Sequence, residues 1–515
     1  MKYHMLVRTA LALSASLLLA SSVSAEGIGR RFPSEKKIVP DPVTGLPLEF
    51  LTSTPNGDSK IYQTHPDWTS DGKWLIFRSQ RANGEAMAVN EETGDMVQVT
   101  DKGYTGMLCV ARLSMKLYVM RDPTPGAGRG RGRGGPPEGT TPTTKAGADS
   151  SPAAVVDAAI AASAATKGGR GARGGQGAPG ARGGFERPSN PLQIVEIDLG
   201  KLFADSAAGT LKGADVYERV CGTIPAAMKA GGDMALDANE DYAYFRMASP
   251  DLASKLPPGT KIAEPFGPRG MGAGPAGLAG MNLKTGEIKF IVAVPFQIGH
   301  VQTNPWVPGE IIFCWETGGK ALQRTWVVNA DGTGLRPLYA EEPFEWITHE
   351  AVITKDEAAI AMISMNRRPP AAAGATSEPQ VSPWGPAGSP QHPNGLGIVN
   401  LRTGAIRIVG QVPIGDPGSS VWHVNGSADG RWAAADDFQF RLWIIDRHTG
   451  EMALLSDNGH VTTAQDHQHP TFNAAGTKIE IQSAMLSADK RSLNICVVPL
   501  PPSWLARTYT DKTLK

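Results

Sequence analysis

Three residues of TTAQDHQHPTF, residues 462 to 472, fall on alternate positions: Gln465, His467 and His469. Amide oxygen and imidazole nitrogen suit a first-row divalent ion such as Mn, Fe, Ni or Zn better than Ca or Mg. Strand alternation would put all three on one face. His65, His423 and His469 each lie seven residues before a turn glycine, Gly72, Gly430 and Gly476. They are therefore equivalent positions of three different segments. His349 is within a residue of the same place in its own segment, and His300 is slightly further back. Of the ten histidines, one is His4 near the start, and six of the remaining nine occupy these positions. For any one of them alone, hydrogen bonds to nearby backbone would be explanation enough. Together, His423, His467 and His469 point to a cation.

The elements that must position them repeat along the chain. HPDWTSDGKWLIFRS starts at His65, and weaker copies start at 107, 233, 300, 349, 423 and 469. Each reads as a short strand, a polar turn often of the S-x-D-G kind, and a second alternating strand. Several continue into a third strand and a turn, as in AGMNLKTGEIKFIV and LWIIDRHTGEMALLS. That is the four-stranded blade of a β-propeller, here in seven copies, so the chain is predicted to be an all-β, seven-bladed propeller with TolB/PD40-like blades. After the seventh copy one clear strand remains, LNICVVPL. PLEFLTS, residues 47 to 53, is expected to complete the last blade and close the ring, which removes an exposed edge. The histidines then gather around the mouth of the central channel.

The domain boundaries follow from composition. Lys2 and Arg8 precede the apolar run LALSASLLLASSVSA, with Val23 and Ala25 where a signal peptidase reads, so residues 1–25 are a predicted signal peptide. The expected location is outside the cytoplasm, in a periplasm if the cell is Gram-negative. No second stretch of about 18 apolar residues follows, so membrane insertion is not expected. The propeller runs over 26–122, 189–367 and 394–505. Gly, Arg, Pro, Ala and Ser dominate 123–188, and Pro, Ala, Gly and Ser dominate 368–393. Both read as insertions without enough apolar surface to fold. The Arg-Gly repeats are like RNA-binding segments, but in an exported protein they read as a solvated loop that touches acidic polymers weakly; the net charge is zero, and no nucleic-acid partner is expected. Cys109, Cys221, Cys314 and Cys496 show no metal spacing; an exported protein could pair them, but IIFCW and NICVV read as core. Nothing in the sequence sets an oligomeric state.

HVQTNPWVPGEIIFC, QRTWVVNADGTGLRPL, THE, WHVNGSADGRWAAADD and QDHQHPTF, in that order, resemble the motifs of oligogalacturonate lyase. The likeness runs over roughly 60–500 apart from the insertions, and is strongest from 300 to 480. That family is a seven-bladed propeller of pectin breakdown, which cleaves short galacturonides by β-elimination with manganese at its mouth. The resemblance implies Arg324 and His349 as the catalytic pair, with His349 the Brønsted base. It implies His423, His467 and His469 as metal ligands, Mn2+ as cofactor and an oligogalacturonide as partner. The family's fourth ligand is a Gln three residues before the first His of the HxH pair. Ala464 stands there, and Gln465, on the face of His467 by alternation, is the expected substitute. An export leader and two insertions depart from the pattern.

The chemistry explains the residue types. β-Elimination removes the C5 proton of a uronate and expels the C4 oxygen. A divalent cation aided by an Arg neutralises the carboxylate and stabilises enediolate-like charge. A neutral imidazole then accepts the proton near neutral pH. Arg324 could instead be a blade-surface Arg paired with a carboxylate such as Glu316. His300, Gln302 and His65 are candidates for substrate contact around the mouth. Arg78 and Arg81, in FRSQRANGE, would bind a further uronate carboxylate or simply occupy a polar turn. Trp346 and Trp422 would stack on sugar or pack between blades. The competing reading is a non-catalytic TolB-like propeller that docks a protein or cell-envelope partner. A prolyl-oligopeptidase is excluded, because no G-x-S-x-G elbow exists.

Overall fold

The hairpins form as their turn chemistry demands. Ser427 N–H donates to the Trp432 carbonyl at 3.0 Å, Gly430 N–H donates to the Ser427 carbonyl at 2.8 Å, and the Ser427 hydroxyl donates to Asp429 at 2.5 Å. Gly430 has φ +75°, a left-handed conformation that glycine adopts without penalty. Thr69–Gly72 and Asn473–Gly476 repeat the pattern, which confirms the seven-residue equivalence of His65, His423 and His469. The computed structural model describes residues 27–124, 190–265, 271–316, 321, 323–341, 345–366, 380–381, 394–412, 420–511 and 513–514. The expected leader, 1–25, and nearly all of the expected insertions at 123–188 and 368–393 lie outside the described residues.

Seven antiparallel sheets make a seven-bladed propeller. The inner strands, in blade order, are Asp58–Lys60, Thr105–Val110, Met234–Leu236, Ile298–Thr303, Glu345–Thr354, Val421–Gly426 and Thr471–Phe472. PLEF closes the ring as expected: Pro47–Phe50 pairs with Asn494–Pro499 in blade 7, with Phe50 opposite Cys496. The N-terminal segment does more than that. Lys37–Pro40 adds a fifth strand outside Pro47–Phe50, and Arg31–Phe32 pairs with Met96–Gln98 on blade 1. One segment therefore fastens the first and last blades to each other.

Apolar faces pack between neighbouring blades. Between blades 6 and 7, Trp432, Ile444, Ile479, Ile481, Cys496 and Val498 are buried with Phe50 from the N-terminal strand. All four cysteines are free and buried. No described helix is long and apolar enough to cross a membrane.

Candidate metal and proton-transfer site

The inner strands break register where they reach the mouth. The ladder shifts between Gly299 and Gln302, between Ile347 and His349, and between Val421 and Val424. A bulge of this kind re-aims a side chain. Here the bulges bracket His300 and His423 and lead directly into His349. His300 and His469 also take positive φ, +51° and +52°, which non-glycine residues seldom adopt. Such strain persists only where surrounding contacts fix it; His469 N–H donates to Asp436 Oδ2 at 3.0 Å.

Five imidazoles and one phenol result, contributed by several blades. The His423 and His469 rings stack with centroids 3.7 Å apart, and His467 lies 5.5 Å from His423. His349 is 4.2 Å from His423, and His300 is 5.7 Å from His349. Tyr62 stands among them, 5.0 Å from His300, 5.1 Å from His469 and 6.1 Å from His423.

Asp436 organises the first half of the site. Its Oδ1 accepts the His423 backbone N–H at 2.7 Å, and its Oδ2 lies 3.0 Å from His423 Nδ1 and 3.9 Å from His467 Nδ1. Burial raises the carboxyl, but His423, His467 and His469 outweigh it and hold the group well below the usual carboxylate range. His467 Nδ1 is buried and makes no hydrogen bond. Burial pushes this imidazole down to about 4, so it is a neutral ring with donor capacity. Donor atoms of His423, Asp436 and His467 lie within 4.8 Å of one another. Two imidazoles and a carboxylate form a set that suits a first-row divalent ion, and the unbonded His467 nitrogen fits that use.

His469 and Gln465 differ from expectation. His469 Nδ1 faces Gln63 Oε1 at 2.9 Å and Nε2 faces Asp466 Oδ1 at 3.2 Å, so its nitrogens are engaged beside the donor set. Gln465 is exposed and offers the site nothing; its backbone N–H donates to the Arg491 carbonyl at 3.1 Å. Alternation failed because residues 461–470 are irregular: the strand begins only at Thr471. Carboxylates, Asp436 and Asp466, stand where an amide was expected.

The second half centres on Arg324. Its Nη1 donates to the Thr348 carbonyl, to the Ile347 carbonyl at 3.3 Å and to Glu350 Oε2 at 3.1 Å. Its Nη2 lies 3.5 Å from His300 Nδ1 and 4.0 Å from Glu316. Burial opposes the guanidinium charge, but Glu350 and Glu316 more than restore it. His300 lies 3.5 Å from Glu316 and 3.3 Å from Glu350. The expected partner Glu316 is thus present but secondary to Glu350. His349 Nδ1 contacts the Trp422 carbonyl at 2.7 Å. A carbonyl only accepts, so Nδ1 carries the hydrogen and Nε2 carries the lone pair of the neutral ring.

The remaining candidates separate. His65 does not join the cluster: Nε2 meets the Met234 carbonyl at 2.9 Å, and the ring lines a small cavity with Cys109, Asp237 and Thr303. Gln302 spends its amide on the backbone of Glu350 and Val352 in blade 5. Arg81 pairs with Asp58 at 2.8 Å and Glu35 at 3.0 Å, so it ties the N-terminal segment to blade 1. Arg78 donates to the Gly106 carbonyl at 3.0 Å on the opposite side of the mouth. Trp346 and Trp422 are buried and pack edge to face.

Sequence reasoning missed Asp436, Glu350, Tyr62 and Gln63. Acidic residues inside otherwise apolar strands were the available signal: WAAADD and THEAVI both break a buried run with a carboxylate. Asp436 and Asp437 could not be told apart that way. Asp437 instead pairs with Arg441 at 2.7 Å and accepts from Trp443 at 2.8 Å.

No protein-family profile matches the chain, and no curated protein does. Solved structures that share its fold include two lyases. One is an oligogalacturonate lyase in complex with manganese, with TM-score 0.59 and 15% identity, covering 93% of this chain and 99% of that one. The other is an oligogalacturonate lyase from Vibrio parahaemolyticus, with TM-score 0.58 and 15% identity, covering 93% of this chain and 100% of that one. The chain is similar to both as a seven-bladed β-propeller.

Proposed function

We propose that the protein is an exported lyase that cleaves short oligogalacturonides by β-elimination to 4,5-unsaturated products, with Mn2+ as its ion. The observation that carries this reading is the convergence of His423, Asp436 and His467 beside His349, whose ring is 4.2 Å from His423. A protein-docking rim has no use for buried imidazoles with an ionised carboxylate between them.

A divalent ion held by His423, Asp436 and His467 would draw charge from the uronate carboxylate and make the C5 hydrogen more acidic. The chain does the rest. His349 Nε2 accepts the C5 proton, because Nδ1 is committed to the Trp422 carbonyl. The C5–H electron pair becomes the C4=C5 bond, the C4–O bond breaks, and the departing oxygen takes a proton from water. Arg324 donates to the Thr348 carbonyl, the peptide that leads into His349, so the guanidinium is held beside that ring. Its guanidinium stabilises the negative charge that builds as the proton leaves.

The test uses purified full-length protein, a panel of divalent ions and oligogalacturonides, with absorbance of the unsaturated uronide as readout. Absorbance growth that needs metal and disappears in His349→Ala supports the lyase. A protein that binds no divalent ion and leaves every uronide intact is instead a docking propeller. Export is read separately, by cell fractionation and a mature N-terminus at Glu26.

A further inference from the structure

The histidine wall covers only part of the mouth, and the other part is built differently. One position of each second strand, six residues after the left-handed turn residue, faces the same way in several blades. Gly430 gives Asp436, in the site described, and Gly476 gives Gln482, whose amide donates beside it to Asp466 Oδ2 at 3.1 Å and to the His467 carbonyl at 2.7 Å. Gly72 gives Arg78 in blade 1, and Glu240 gives Arg246 in blade 3. The fold that aims a carboxylate at the histidines therefore aims two guanidinium groups at the blade 1–3 side.

Arg78 is only 9% exposed, and among the described residues it has no carboxylate partner. Its Nη2 donates to the Gly106 carbonyl, the guanidinium stands 5.9 Å from the Tyr104 ring centroid, and its Nε is buried with no acceptor. A buried, unpaired cation is costly, and proteins normally satisfy it. Arg81, three residues on, shows the usual solution with its two carboxylates.

Arg246 completes the feature. Five residues before the turn, where blade 6 carries Trp422, blades 2 and 3 carry Gly106 and Gly232. The two strands touch there: Met107 N–H donates to the Gly232 carbonyl at 2.8 Å, and a Cβ on Gly106 would stand 1.9 Å from that oxygen. Arg246 Nη2 lies over Gly232, 3.1 Å from where a Cβ would be. The two guanidinium groups thus flank one stretch of bare backbone. Arg246 also donates to the Ile298 carbonyl at 3.0 Å, two residues before His300, which joins this side to Arg324. It is paired with Asp233 at 3.3 Å, so Arg78 supplies the uncompensated charge.

We propose that Arg78 and Arg246 form a carboxylate-binding subsite for a third uronate, beyond the two that flank the cleaved bond, so that the mouth selects oligomers by length. This rests on the lyase reading. Paired forks over glycine backbone suit a planar carboxylate held by two charge-assisted bonds.

The experiment measures binding of di- and trigalacturonate by calorimetry in a His349→Ala background with manganese present. Arg78→Gln and Arg246→Gln are expected to weaken trigalacturonate roughly tenfold to a hundredfold, the loss of a charge-assisted bond. Digalacturonate affinity should stay within about twofold on the same reasoning. Arg78→Lys, which keeps the charge without the fork, should fall between and shows that the fold survives. Trigalacturonate binding that is equal in parent and both Gln variants overturns the subsite and leaves the lyase standing. If neither uronide binds the parent protein, both readings fall together.

Discussion

Asp436→Asn is the sharpest probe of the metal reading, because it changes charge at constant shape. Each carboxylate oxygen has a donor in front of it: His423 N–H at 2.7 Å on Oδ1, and His469 N–H at 3.0 Å on Oδ2. An amide has one oxygen, so either orientation turns an NH2 toward a backbone N–H. One buried donor is then unsatisfied, at a cost of about 1–3 kcal/mol in the metal-free protein. Loss of the anionic donor should lower manganese affinity a further ~10–100-fold, the range for removing a group that tunes a metal site. The assay is calorimetric titration of manganese into metal-free wild type, Asp436→Asn and Asp437→Asn. Among the described residues Asp437 bonds Arg441, Trp443 and nearby backbone, so its variant should lose stability but keep metal affinity. The pH sign follows from the depressed folded value. The stabilisation by Asp436 is complete above the unfolded value of about 3.9, and fades as pH falls from there toward the folded one. The wild-type advantage over Asp436→Asn should shrink over that window. A folded Asp436→Asn that binds manganese as wild type does, or an equal loss in Asp437→Asn, would refute the placement of the ion.

Three further outcomes are expected. His349→Gln should cut turnover by about 10²–10⁴ while manganese affinity is kept, since the ring acts on the proton; a parallel loss of affinity would make it a ligand instead. Glu480 is buried against Asp67, and burial and that carboxylate raise it well above the ordinary value, so it folds protonated. Its contribution is present below the unfolded value and is lost as pH climbs toward the folded one, at about 1.4 kcal/mol for each pH unit between the two. Glu480→Gln should therefore raise Tm, and more at pH 8 than at pH 5; a gain independent of pH contradicts this. Arg81→Ala strands the buried Asp58 carboxylate and should cost about 3–5 kcal/mol in denaturant unfolding. KM of that variant should not move, because Arg81 faces the N-terminal segment; a raised KM would return it to the substrate site.

Much of the fold was legible because it is written locally. Two-residue alternation, S-x-D-G turns and seven repeats specify hairpins whose apolar faces can only be buried by stacking blades. The leftover LNICVVPL and the early PLEF matched as strand and partner, and the structure pairs them. The seven-residue spacing also aligned His65, His423 and His469 correctly on their blades. Equivalence on a blade did not make them one site, however. Tyr62 and Gln63 occupy the space beside His469, and the His65 ring turns to the Met234 carbonyl.

The sequence by itself determined the architecture, the closing strand and the gathering of histidines at one mouth, since each depends on short-range periodicity and turn conformation. Only the tertiary structure decided which side chains face one another there. It chose Asp436 over Asp437, turned Gln465 to solvent, paired Arg81 with carboxylates and, among the described residues, gave Arg78 none. Those outcomes depend on bulges and on partners from other blades, as when Gln63 meets His469 across 406 positions. No local pattern encodes a contact whose two halves meet only after the ring has closed.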